Sequence, residues 1–120
     1  MYNTLSAFYL ELWRHLDGFF DENRWLRTDS VPPVDERLEN LKSAYEAISS
    51  VKIGWGVPLA RQIRRDFEDV ERLTKEYCLQ KPQPCRKWFK DAEKMRSYCQ
   101  ELGLRYAELA VQEQTRVASA

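Results

Sequence analysis

Apolar residues recur in steps of three and four along most of the chain, which is the spacing of one face of an α-helix. The clearest stripe lies in the last third and keeps its register for more than three heptads: Cys85, Trp88, Ala92, Met95, Cys99, Leu102, Tyr106 and Leu109. A stripe of this kind is buried against other helices. The pattern therefore predicts a helical bundle, formed by the chain alone or with a partner.

Three shorter stripes precede it, separated by segments that contain glycine or proline. The predicted helices span residues 4–20, 34–51, 58–79 and 84–116. Short connections place consecutive helices antiparallel. The sequence thus predicts an all-α fold, a four-helix antiparallel bundle with a long C-terminal helix, in one domain over residues 1–120.

Gly103 interrupts the fourth helix and leaves two alternatives. It would end a helix if it served as a C-cap followed by an apolar residue. Tyr106 and Leu109, however, continue the register that was set before the glycine, which favours a continuous helix. A continuous helix 4 would be about 50 Å long at 1.5 Å per residue. Its C-terminal end then either overhangs the bundle or is covered by helix 1 and the loops.

The stripes also predict the core. We expect these residues to be buried: Leu41, Tyr45, Phe67, Val70, Trp88, Met95, Cys99, Leu102 and Tyr106. Cys85 and Cys99 belong to the same stripe, so both are expected to be inert, buried thiols. With an odd number of cysteines, we expect all of them, Cys78 included, to be reduced. The alternative is a disulfide between Cys78 and Cys85, which flank a proline-containing turn.

Composition and charge argue against several classes of protein. Lys and Arg together number 19, as do Asp and Glu, so the formal net charge is zero. A dedicated nucleic-acid binder usually has a basic excess. Charged residues also interrupt the apolar run of the first helix, so neither a signal peptide nor a membrane span is expected. We therefore expect a cytoplasmic protein without membrane association.

No arrangement of residues predicts catalysis, a metal site or a cofactor. His15 is the only histidine, and with Glu11 it is expected to form an ordinary pair on the surface of helix 1. The cysteines lack the paired spacing of zinc ligands, and no glycine-rich phosphate loop is present. We expect the protein not to be an enzyme; a small helical enzyme is the weakest of the hypotheses.

Two groups of residues are candidates for partner binding. The first is Trp25 with Arg24 and Arg27, because Trp and Arg dominate interface energetics. The alternative for Trp25 is that it folds back and closes one end of the bundle. The second group lies in the first turns of helix 3 and contains Arg61, Arg64 and Arg65. Its alternative is a solvated surface of mixed charge.

The sequence therefore favours a non-enzymatic protein–protein interaction module: an adaptor, assembly factor or inhibitor that occupies a surface of a larger protein or complex. The alternative is a nucleic-acid-associated regulator that uses basic clusters on helices 3 and 4. The helix 4 cluster contains Arg86, Lys87, Lys90, Lys94 and Arg96. Antiparallel helices would place the two clusters at opposite ends, which argues against one phosphate track. Self-association is left open.

Overall fold

The computed structural model describes the main chain of residues 2–25, 34–50, 56–79 and 84–118. It describes side chains at residues 2–20, 36, 38–49, 56–79 and 84–115. Within this part of the chain the secondary structure is entirely helical, as predicted. The helices are α1 (Tyr2–Trp25), α2 (Val34–Ser50), α3 (Val57–Leu79) and α4 (Arg86–Ala118).

The antiparallel pair of α1 and α4 forms the spine of the bundle. Ser6 Oγ donates to the main-chain carbonyl oxygen of Gly103 at 2.7 Å, and Arg96 Nη1 donates to Asp17 Oδ1 at 3.0 Å. The Arg96 guanidinium also lies over the Phe20 ring, 4.0 Å from its centroid. Residues later in α1 therefore contact residues earlier in α4, as in an antiparallel pair. The long C-terminal stripe is covered mainly by helix α1.

Helix α3 runs parallel to α1. Tyr9 contacts Asp66, and further along both helices His15 contacts Thr74. Since α4 is antiparallel to α1, it is also antiparallel to α3. Helix α2 packs on α1 and α3 and, over its described residues, does not touch α4. The order around the bundle is therefore α1, α2, α3, α4, with α2 and α4 on the diagonal.

The predicted core is largely confirmed. Five of its members are buried: Leu41, Phe67, Val70, Trp88 and Cys99. The other four are partly buried and pack against that core: Tyr45, Met95, Leu102 and Tyr106. Helix α1 contributes the most completely buried face, as expected for a helix that contacts each of the others.

Two expectations about the helices need correction. Helix α1 continues beyond residue 20 to Trp25 and is not ended by Gly18, because Phe19 and Phe20 on its far side are packed against other helices. Cys85 is exposed, not buried. It precedes α4, and its carbonyl oxygen accepts the first helical hydrogen bond, from the N–H of Phe89 at 3.3 Å. A residue in this capping position does not follow the helical register of the stripe.

Helix α4 is continuous through Gly103, as the register indicated. A Cβ atom at Gly103 would lie 2.6 Å from Leu10 Cδ2 and 3.3 Å from the Leu10 main-chain nitrogen. The glycine therefore permits close approach of α1 and does not end the helix. Beyond the stacked rings of Tyr2 and Tyr106, residues 111–115 of α4 are all exposed. The C-terminal end of α4 thus overhangs the bundle. No helix in the described part of the chain is long and apolar enough to cross a membrane.

Candidate functional site

The two predicted groups of binding residues lie at opposite ends of the molecule. Arg24 and Trp25 belong to the last turn of α1, although the structure does not describe their side chains. Arg27 lies outside the described residues. Because α3 is parallel to α1, the start of α3 lies at the other end of the bundle. The two groups are therefore separate candidate surfaces, and the structure does not bring them together.

The three arginines of α3 are exposed, and they face two different grooves. Arg61 and Arg64 line a groove between α2 and α3, whereas Arg65 lines a groove between α3 and α4. Arg64 Nε also donates to Glu68 Oε1 at 3.0 Å, an exposed pair one helical turn away. Arg61 has no ion-pair partner among the described residues.

The α2–α3 groove has a volume of about 420 Å³ and combines an apolar floor with a basic rim. Its lining residues are Tyr45, Ser49, Val57, Ala60, Arg61, Ile63 and Arg64. Val57 is a large apolar residue that is 64% exposed. The volume lies in the range of roughly 300–1,000 Å³ that is usual for ligand sites. Two predicted binding residues, Arg61 and Arg64, therefore adjoin an apolar depression in this groove.

The wall of this groove is held in place by aromatic packing. The Tyr45 ring stacks on the Phe67 ring, with centroids 4.3 Å apart and an interplanar angle of 11°. On another side it contacts Phe8 of α1, at 6.5 Å between centroids. Phe8 and Phe67 are both buried. Tyr45 is thus fixed from two helices while part of its surface faces the groove, so the apolar wall is preorganised.

The electrostatics of the groove favour an anionic group. Among the described residues, two arginines and no carboxylate line it. It also adjoins the N-terminal end of α3, where unpaired N–H groups carry a partial positive charge. The first turn of α3 has no acidic residue to offset that charge. The Arg64–Glu68 pair neutralises part of the positive potential, whereas nothing described neutralises Arg61.

A buried polar cluster lies beside the other groove, between α3 and α4. Asp66 Oδ2 accepts hydrogen bonds from the Tyr9 hydroxyl at 2.6 Å and from the Tyr98 hydroxyl at 2.9 Å. Gln62 Nε2 donates to the Tyr9 hydroxyl at 3.3 Å. The carboxyl thereby joins three helices, α1, α3 and α4. We call Asp66, Tyr9, Tyr98 and Gln62 the Asp66 cluster.

The pKa shifts in the Asp66 cluster favour a structural role. Burial raises the pKa of the Asp66 carboxyl, and the two tyrosine hydrogen bonds oppose that shift. Burial and the contact with Asp66 raise the pKa of both Tyr9 and Tyr98, so these phenols stay protonated and act as donors. Burial also raises the pKa of Cys99, which keeps it an unreactive thiol. None of these shifts produces an activated nucleophile.

His15 differs from the expectation of a surface pair with Glu11. It is only 8% exposed, its Nε2 lies 2.8 Å from Thr74 Oγ1, and its ring meets Phe19 edge-on. The reason is that α1 is the central helix, so α3 covers one of its polar positions. In the part of the chain that the structure describes, no group of three or more His, Cys, Asp and Glu side chains is placed to hold a metal ion.

The basic cluster at the start of α4 is not continuous with that of α3. Arg86, Lys87, Lys90 and Lys94 are exposed, but Arg96 is partly buried and held by Asp17. Because α3 and α4 are antiparallel, their N-terminal clusters lie towards opposite ends, as the sequence indicated. Asp66, Asp69 and Asp91 also line the α3–α4 groove between them. This arrangement disfavours one continuous phosphate track.

Sequence reasoning missed the apolar part of the candidate site. Tyr45 was assigned to the core, Val57 to a turn, and Ala60 to no site at all. The helical register of Tyr45 could show that it faces the bundle, but not that α3 leaves one side of its ring uncovered. The signal that was available was the proximity of Val57 to the arginines of α3.

Comparison with known proteins identifies no similar protein. The chain matches no protein-family model, no curated protein and no solved structure.

Proposed function

We propose that the protein is a non-enzymatic protein-interaction module, which binds a segment of a larger protein in the α2–α3 groove. The observation that carries the proposal is the juxtaposition of a preorganised apolar wall at Tyr45 with the exposed Val57 and the unpaired Arg61. Aromatic and arginine residues at the edge of an apolar depression are typical of interface hot spots.

The groove alone is too small to be a complete interface. Stable protein–protein interfaces bury about 1,200–2,000 Å² in total, so a partner would also contact the surrounding faces of α2 and α3. In this proposal the groove accepts the anchoring side chain, and the exposed helix faces form the rim. Adaptor, assembly factor and inhibitor are all compatible with such binding.

The alternative of a nucleic-acid-associated regulator has less support. The two basic clusters lie towards opposite ends of antiparallel helices, and the apolar wall beside Arg61 has no role in binding a phosphate backbone. A catalytic role also has less support, since the buried titratable groups are engaged in holding helices together.

The proposal can be tested by blocking the groove sterically. Ala60 lines the groove and Ala7 lies on α1, and both are exposed helical alanines. Ala60→Trp would fill the groove, and Ala7→Trp is the matched control. Affinity capture from the native host should be performed with both variants and the wild type, with each bound protein quantified by mass spectrometry.

We expect a discrete set of proteins that the wild type and Ala7→Trp retain and that Ala60→Trp loses. Thermal unfolding should be measured alongside, to establish that both variants are folded. If all three forms capture the same proteins in the same amounts, the groove is not the binding site.

A further inference from the structure

We propose that the segment bound in the α2–α3 groove is acidic: an amphipathic peptide that places a large apolar side chain against Tyr45 and a carboxylate on Arg61. This inference rests on the proposed function and specifies the chemistry of the partner.

The first argument is charge complementarity. Arg61 and Arg64 are the charged side chains that line the groove, and both are cationic. The positive end of α3 adds to their potential, and no acidic residue in its first turn reduces it. A basic segment would meet uncompensated like charge here, whereas a carboxylate would gain a charge-assisted hydrogen bond from a guanidinium.

The second argument concerns which arginine is available. Arg64 is already engaged by Glu68, at 3.0 Å from Nε to the carboxylate oxygen. Arg61 has no such partner among the described residues and is exposed. A partner carboxylate can therefore bind Arg61 without displacing an existing ion pair. Arg61 is the expected electrostatic anchor, and Arg64 contributes more weakly.

The third argument separates an acidic peptide from other anionic ligands. The groove is about 420 Å³, and its apolar lining includes Tyr45, Ala60 and Ile63. An apolar lining next to a guanidinium suits a helical peptide whose apolar side chain and carboxylate are one turn apart. Residues three or four apart lie on the same face of a helix, so both groups would face the groove. A duplex bound through its phosphate backbone would use the guanidinium and leave the apolar lining uncovered.

The test is a selection from a displayed library of random peptides, performed on the immobilised wild-type protein and sequenced before and after enrichment. Selected peptides are then synthesised, and their affinities are measured for the wild type, Arg61→Glu, Ala60→Trp and Arg86→Glu. Arg86→Glu is the matched control, because Arg86 is also an exposed arginine near the start of a helix, here α4. Circular dichroism verifies that each variant is folded.

We expect enriched peptides to carry Asp or Glu three or four positions from a large apolar residue. Arg61→Glu should weaken their binding by at least about thirtyfold, the size of a hot-spot effect. Ala60→Trp should abolish binding, and Arg86→Glu should leave it unchanged.

The contrary outcomes distinguish the two proposals. Suppose that the selected peptides lose binding with Ala60→Trp but show no acidic enrichment and are unaffected by Arg61→Glu. This result would overturn the acidic partner and leave the groove as a protein-binding site. Absence of enriched peptides would overturn the acidic peptide as the partner, and binding that Ala60→Trp does not affect would overturn both proposals.

Discussion

Replacing Gly103 by alanine separates helix propensity from packing, because the two predict opposite signs. In an exposed helix interior, alanine is more favourable than glycine by about 1 kcal/mol. At Gly103 the new Cβ would lie 2.6 Å from Leu10 Cδ2 and 2.8 Å from Leu10 Cγ. The Leu10 main-chain nitrogen, at 3.3 Å, limits how far a change of side-chain rotamer can relieve the contact. Helices α1 and α4 would have to move apart.

The expected magnitude follows from three contributions. Overpacking a close contact costs about 1–3 kcal/mol. Separation of the helices also weakens the buried hydrogen bond from Ser6 to the Gly103 carbonyl, 2.7 Å long, and a typical bond of this kind contributes about 1 kcal/mol. These losses exceed the gain in helix propensity. We expect Gly103→Ala to lower the free energy of unfolding by about 1–3 kcal/mol.

The assay is urea denaturation followed by circular dichroism, with the denaturant slope compared between variants to verify that the transition remains two-state. Leu10→Ala supplies the control background. With the leucine side chain absent, Gly103→Ala should be neutral or should stabilise by up to about 1 kcal/mol. If Gly103→Ala instead stabilises the protein with Leu10 present, the close approach of α1 and α4 is wrong.

Three further outcomes are expected. Asp66→Asn should remove one contribution to the pH dependence of stability. The pKa of Asp66 is raised in the folded protein, so this carboxyl holds its proton more tightly there, and the stability it contributes is lost as pH rises from its ordinary pKa of 3.8 through the folded pKa. Denaturation midpoints across a pH series test this, and an unchanged slope would contradict it. Trp88→Phe removes a 2.8 Å hydrogen bond from Nε1 to a main-chain carbonyl of α3 and also shrinks a buried side chain. It should therefore cost at least about 1–2 kcal/mol in a urea titration; no loss would mean that the bond does not form. A thiol reagent should modify the exposed Cys78 and Cys85 at once and the buried Cys99 only on unfolding, so rapid modification of all three would show that the core around α4 is open.

The stripes of the sequence were sufficient to predict the fold because a helical bundle depends mainly on which positions are apolar. The periodicity gave the number of helices, the long fourth helix and most of the core. The ends of the helices also depend on tertiary contacts. Helix α1 extends to Trp25 because Phe19 and Phe20 pack on other helices, and this packing outweighs the weak helix propensity of Gly18.

Polar residues in the core could not be predicted from periodicity. His15 and Asp66 are buried because Thr74, Tyr9 and Tyr98 on neighbouring helices satisfy their hydrogen-bonding groups. Such partners are far apart in the sequence, and the sequence alone does not show which helix faces which. The same reason applies to Gly103, whose role depends on Leu10 of another helix.

The candidate site was partly accessible from the sequence. Exposed arginines in the first turns of α3 could be recognised from their register. The groove beside them arises from the packing of α2 on α3. Arg61 and Arg64 line this groove, whereas Arg65 lines the groove between α3 and α4. Tyr45 is both a core residue, through Phe67, and a wall of the groove. A pattern of apolar positions cannot distinguish these two faces of one ring.

Site-specific photocross-linking in the native host tests most directly whether the α2–α3 groove is where a protein partner binds. A photoreactive amino acid would replace Val57 at the groove or, as the matched control, Val111 on the overhanging end of α4; the two valines are 64% and 61% exposed. The account predicts discrete cross-linked proteins from position 57, lost when Arg61→Glu is added, and none from position 111. Cross-links from position 111 with none from position 57 would contradict it and place the interface on the end of α4.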